Sequence, residues 1–119
     1  STETTKDNLQ DKFENIMKSS KLNYQVAWSH SGDPYLTRKN ELLNACASSI
    51  KEELNIEPEI STDGGTSDGR FMAKICDQVI EFGLINESIH KINEHTTSAS
   101  LDAVTKIYTS MLNRLLVSK

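Results

Sequence analysis

The stretch Gln78-Val-Ile-Glu-Phe82, closed by Gly83 and followed by Leu84-Ile-Asn-Glu-Ser-Ile-His90-Lys-Ile-Asn-Glu94-His95, decides how this 119-residue chain is read. Its first five residues read as a strand, which Gly83 ends. The Asn-, His- and Glu-rich residues after it read as a loop. Working outward, Leu9, Phe13, Ile16 and Met17 recur at steps of three and four and predict a helix over residues 4–19. Leu22, Tyr24, Val26 and Trp28 alternate and predict a strand over 22–28, before a Ser-His-Ser-Gly-Asp-Pro turn at 29–34. Thr37 is a candidate cap for a second helix reaching Leu54, with the stripe Leu42/Leu43, Cys46, Ile50 and Leu54. A short extended stretch at 59–61 leads to a Gly-dense loop and a short helix over 68–75, capped by Asp68. Ser98 is the candidate cap of the last helix, whose apolar face is Leu101, Val104, Ile107, Tyr108, Met111, Leu112 and Leu115. Helices and strands therefore alternate, which predicts an α/β fold with crossover helices.

Composition narrows the function. Thirteen Lys and Arg against seventeen Asp and Glu leave a formal charge of −4. Nucleic-acid binding needs a basic face and a polybasic membrane anchor needs basic clusters, so neither class fits. The chain is 36% hydrophobic, below the usual usage of about 45–50% counted with Gly. The apolar run near residues 79–85 is far shorter than the ~20 residues of a membrane span. Two cysteines, Cys46 and Cys76, both in apolar patterns, are too few for a disulfide framework; both are expected in the core, in a cytoplasmic setting. The chain starts Ser-Thr-Glu-Thr-Thr, with neither Met nor a targeting segment, and we expect a piece of something longer.

Two segments have chemical potential. Gly64-Gly-Thr-Ser-Asp-Gly-Arg70 offers backbone amides, two hydroxyls and a guanidinium near a helix start, a combination that holds an anion or simply makes a tight turn. It lacks the Gly-Lys-Ser/Thr ending of a P-loop and the Gly spacing of a dinucleotide fingerprint. His90 is a candidate metal ligand that Glu94 could orient, or a surface imidazole; His30 and His95 have weaker claims. No His-x-x-x-His or His-x-Asp pair is present to complete a zinc site by a short motif. Glu52-Glu53 reads as a solvated helix surface, since neighbours on a helix point about 100° apart.

Three stretches taken together carry a resemblance: Ser31-Gly-Asp-Pro-Tyr-Leu-Thr37, Gly64-Gly-Thr-Ser-Asp-Gly-Arg-Phe71, and Val79 through Glu94. In order and spacing they resemble the C-terminal part of the desuccinylase branch of the two-zinc aminoacylase and carboxypeptidase-G-like metallopeptidase superfamily, over essentially all 119 residues. Relatives acting on acetylornithine and other acylated amino acids usually carry His followed by Pro-Asp-Glu at the last site. Here His90 is followed by Lys-Ile-Asn-Glu, the desuccinylase form.

The resemblance implies a zinc-exopeptidase-like α/β/α sandwich with an inserted lid or dimerisation domain. Residues 1–33 would be the last helix and strand of that lid, and 34–119 the closing portion of the catalytic domain. It implies His90 as a zinc ligand, and Ser31, Gly32, Gly65, Thr66, Arg70 and Asn86 as substrate contacts, with Arg70 a carboxylate partner. The implied reaction is hydrolysis of N-succinyl-LL-2,6-diaminopimelate to succinate and LL-2,6-diaminopimelate, in lysine biosynthesis, by a cytoplasmic homodimer with two zinc ions, or cobalt in their place. No catalytic residue falls in this chain, because the family's general base and its other metal ligands precede it. The isolated chain is therefore expected to be inactive and metal-free, and to self-associate or swap domains. The alternatives are an amidohydrolase for another N-acyl amino acid, or a non-catalytic α/β module that binds an anion.

Overall fold

A computed structural model describes residues 2–65 and 67–117. The first helix, α1, covers Lys6–Ser20; Thr5 caps it by accepting the Asn8 amide, and Lys21 closes it in the left-handed conformation. Its stripe buries no side chain. Phe13 instead meets Tyr24 and Trp28 edge-on, with ring centroids 6.4 and 5.3 Å apart. Two residues of the predicted alternating face thus do share one side and pack together.

Helix α2 covers Glu41–Leu54 and α4 covers Ser98–Leu112, with the short α3 (Gly69–Met72) between them; α4 runs on into a π-helical turn, Asn113–Val117. The core lies where α2 meets α4: Cys46, Ile50, Ile107 and Met111 are buried together, and Leu42, Ile80 and Phe82 pack against them. A polar seam runs beside it. The fully buried Ser49 hydroxyl donates to Ser110 Oγ at 3.0 Å, and Arg114 pairs with Glu52 at 2.5 Å.

Residues 78–82 lie on this helix pair. The Thr37 hydroxyl donates to the Val79 carbonyl at 2.5 Å and accepts the Val79 amide at 2.9 Å. Gln78 Oε1 accepts the Leu42 amide, and the Tyr108 hydroxyl donates to the Phe82 carbonyl. Ile80 and Phe82 pack against the core, while Glu81 accepts the Tyr35 hydroxyl.

The strands themselves are not. Residues 22–28, 59–61 and 78–82 are predicted as strands, yet among the described residues no ladder forms and the regular elements are all helices. An extended segment becomes a strand only by pairing its N–H and C=O groups with a neighbour, and none of these segments meets one. Other expectations shift locally. Asn40, not Thr37, caps α2, because the Thr37 hydroxyl is engaged by Val79. Thr97 caps α4 in place of Ser98, by accepting the Ser100 amide. Asp68 makes no side-chain cap, since Ser67 Oγ takes the Gly69 amide instead. Cys76 is exposed rather than in the core; the helix expected to run to Ile75 stops at Met72, and the thiol stays outside.

The chain is open. Its radius of gyration is 19.6 Å, against about 13.5 Å for a compact domain of this length. It exposes 9828 Å², where a folded monomer of its mass exposes about 6450 Å². Large apolar side chains share in this exposure: Leu9, Ile16, Leu22, Ile75, Ile85 and Ile92 all stand more than half exposed.

Candidate functional site

The Gly-rich segment is tied to residues 78–82 through Glu81, and the 86–95 loop follows them in the chain. Before Arg70, the Ser67 hydroxyl accepts the Gly69 amide at 3.0 Å and donates to Glu81 Oε1. The same Glu81 oxygen accepts the Tyr35 hydroxyl at 2.6 Å. Hydrogen bonds from Ser67 and then Tyr35 hold the Glu81 carboxyl below its usual range. The bond to Glu81, with some desolvation, pushes the Tyr35 phenol up. Both shifts say the carboxylate form is favoured here, because both hydroxyls donate to it.

Arg70 lies against Gly32; the turn expected at 29–34 is not assigned among the described residues. A Cβ on Gly32 would stand 2.7 Å from Arg70 Cδ, so no larger residue fits without moving the guanidinium stem. The guanidinium carbon sits 4.7 Å over the Phe71 ring. Arg70 Nε is buried and, among the described residues, has no hydrogen-bond partner. An unanswered N–H donor on an always-charged group is suited to an anionic oxygen.

After Gly83 the chain turns back on itself. The Asn86 carbonyl accepts the Ile89 amide at 3.0 Å. Ser88 Oγ donates to the His95 carbonyl at 2.7 Å and accepts the His95 amide at 3.1 Å, closing the loop. His90 has φ 61, a left-handed conformation uncommon outside glycine, and its side chain is exposed. Glu94 does not orient the imidazole as expected; its carboxylate accepts the His90 backbone amide at 3.4 Å, because the backbone twist turns that N–H toward it.

Of the residues singled out from the sequence, Gly32 and Arg70 are brought together. Among the described residues no atom beyond its chain neighbours comes within 4 Å of where a Cβ on Gly65 would lie, and Ser31 is exposed. Asn86 and His90 occupy the separate loop, and among the described residues no hydrogen bond or ion pair joins them to Arg70 or Gly32. Thr66 lies outside the described residues. No three His, Cys, Asp or Glu side chains converge among the described residues, so this donor set does not fit a complete metal centre. Tyr35 and Glu81 carry no role in the sequence reading, and Ser67 enters it only as one of the two hydroxyls of the Gly-rich segment.

A model described as Peptidase family M20/M25/M40 matches residues 2–114. The chain belongs to that family. Among curated relatives, this M20 chain is 48% identical over 114 residues to a succinyl-diaminopimelate desuccinylase of Polaromonas sp., covering 96% of the chain and 27% of that protein. It is 44% identical over 117 residues to one from Thioalkalivibrio sulfidiphilus, covering 98% and 31%. A third, from Acinetobacter baylyi, is 43% identical over 116 residues, again covering 98% and 31%. The M20 chain thus spans less than a third of the length of these relatives. Membership supports the α/β class, although the described residues form helices alone. No helix among them is long and apolar enough to cross a membrane.

Proposed function

We propose that the chain is the C-terminal portion of a desuccinylase that hydrolyses N-succinyl-LL-2,6-diaminopimelate to succinate and LL-2,6-diaminopimelate, in lysine biosynthesis. The observation that carries this reading is the identity of 43–48% to desuccinylases across nearly the whole chain. Residues 1–33 are the end of an inserted lid or dimerisation domain, and 34–119 close an α/β/α catalytic sandwich. The whole protein is a cytoplasmic homodimer with two zinc ions, or cobalt in their place, and the exposed apolar surface of this chain is what the rest of the polypeptide covers.

The chemistry of the residues here is substrate binding. The substrate carries several carboxylates, and a guanidinium with a free N–H, the Gly65 amide and the Asn86 side chain are donors of the right kind. Ser31, Gly32 and Thr66 complete that wall. His90 contributes one imidazole toward a metal centre whose other ligands, like the general base, come from elsewhere in the polypeptide.

A chimera tests this. This chain replaces the matching segment of the Polaromonas relative, and turnover of N-succinyl-diaminopimelate is compared with that of N-acetyl amino acids. Preference for the succinyl substrate is expected; preference for an acetyl substrate would overturn the desuccinylase reading. In the chimera, His90→Ala should weaken one metal ion and cut activity by more than the ~10–100-fold typical of losing an outer-shell partner. Unchanged metal content would favour a non-catalytic anion-binding module. The isolated chain should show no turnover and bind zinc weakly, because one imidazole cannot replace a ligand set.

A further inference from the structure

Glu81 joins three parts of the chain that are distant in sequence. Its Oε1 accepts hydroxyls from Tyr35, three residues after Gly32, and from Ser67, within the Gly-rich segment. Ser67 Oγ in turn accepts the Gly69 amide, so the bonds run from Glu81 to the first residue of α3, next to Arg70. The fit is close: a Cβ on Gly69 would collide with the Tyr35 hydroxyl and lie 3.0 Å from Glu81 Oε1. The other end is held as well, since residues 78–82 are tied to the core by Thr37, Leu42 and Tyr108.

A carboxylate suits this place because, when ionised, it only accepts and can take two hydroxyl donors on one oxygen. The cluster is exposed, so its bonds contribute little to global stability. Their effect is directional: they tie Ser67 and the start of α3 to Glu81, 14 residues further along the chain.

We infer that Glu81 is a positioning residue that fastens the turn at residues 67–70 to the core-anchored 78–82 segment and thereby sets Arg70 to meet a carboxylate of the substrate. The substrate half of this inference rests on the desuccinylase reading; the fastening itself does not.

The test uses the chimera and two readouts. In steady-state kinetics, Glu81→Ala should raise KM for N-succinyl-diaminopimelate about tenfold, with kcat changed less than about twofold and metal content unchanged. Tyr35→Phe, which removes one donor and is the milder change, should raise KM by a smaller factor. Combining Glu81→Ala with Arg70→Ala should give a KM no worse than Arg70→Ala alone, because Glu81 acts through Arg70. Additive losses, or a fall in kcat at unchanged KM, would overturn the inference. In amide hydrogen exchange, Glu81→Ala should speed residues 67–71 about tenfold while α2 and α4 stay as they were. Unchanged exchange overturns the fastening whatever the activity. Faster exchange in a chimera that never turns over the succinyl substrate keeps the fastening and removes the desuccinylase reading. Faster exchange with an unaltered KM removes the role of Glu81 in binding.

Discussion

Helices α1 and α2 begin and end alike. Thr5 and Asn40 each accept the amide three residues on, and Lys21 and Asn55 close the two helices in the left-handed region at φ 55 and 56. Their lengths differ by one residue, 15 against 14. Yet α2 buries Ala45, Cys46, Ser49 and Ile50, and α1 buries nothing. The difference stands opposite them: α4 faces α2, whereas Phe13 of α1 makes T-shaped ring contacts with Tyr24 and Trp28, and no side chain of α1 is buried. Caps and periodicity specify a helix, and burial is conferred by its neighbour.

The sharpest way to break this contrast is to remove matching apolar groups from the two regions. Ile107→Ala, at a side chain 1% exposed, should cost about 2–5 kcal/mol through lost burial and the cavity left behind. Ile16→Ala, at a side chain 65% exposed, should stay within about 0.5 kcal/mol. Urea titrations followed by far-ultraviolet circular dichroism check both, and comparable losses would abolish the distinction.

Next in size is the docking of residues 78–82. Thr37→Val leaves both the N–H and the C=O of Val79 without the hydroxyl, at a cost of about 1–3 kcal/mol. Hydrogen exchange at the Val79 amide should quicken while the amides of α2 hold.

Capping gives a smaller effect that sharpens the comparison. Thr97→Ala should cost about 1 kcal/mol in the midpoint of the α2–α4 unit. Thr5→Ala should fray α1 and leave that midpoint unchanged, which residue-resolved exchange separates.

The smallest effect concerns pH. The hydrogen bond and charge of Arg114 hold the Glu52 carboxyl below its ordinary 4.5. A depressed carboxyl adds stability above its unfolded pKa and loses it as pH falls through the folded value. The pair is exposed and screened, so Glu52→Gln should lower the melting temperature slightly at neutral pH. The two melting curves should converge well below pH 4.5; a gap that persists in acid would point to a role other than charge.

What was legible in the sequence follows the same division. The helices were readable because their signals are local: the Leu9-Phe13-Ile16 and Ile107-Met111 spacings lie within one element. The segment 78–82 was readable as a unit closed by Gly83, and its Ile80 and Phe82 pack on the core. Ladder formation was not, because hydrogen-bond pairing depends on a second segment that residues 22–28 and 78–82 do not meet here. Thr37 was misassigned for a related reason. A hydroxyl near a helix start is a good cap by type, and only the arrival of Val79 from 42 residues away redirects it. At the candidate site, motif order identified Gly32 and Arg70, which do come together. The Tyr35–Ser67–Glu81 cluster stayed hidden because its members are common residues whose meaning is their meeting.

The two cysteines turn the contrast between regions into something that can be timed. Cys76 is exposed, while Cys46 lies in the α2–α4 core, where burial pushes its thiol up and keeps it protonated. A thiol reagent added to the native chain should therefore mark Cys76 at once and reach Cys46 only in molecules whose helix pair has parted. The delay between the two labelling events is an internal clock for the opening of the core, built from natural residues and needing no substitution to read.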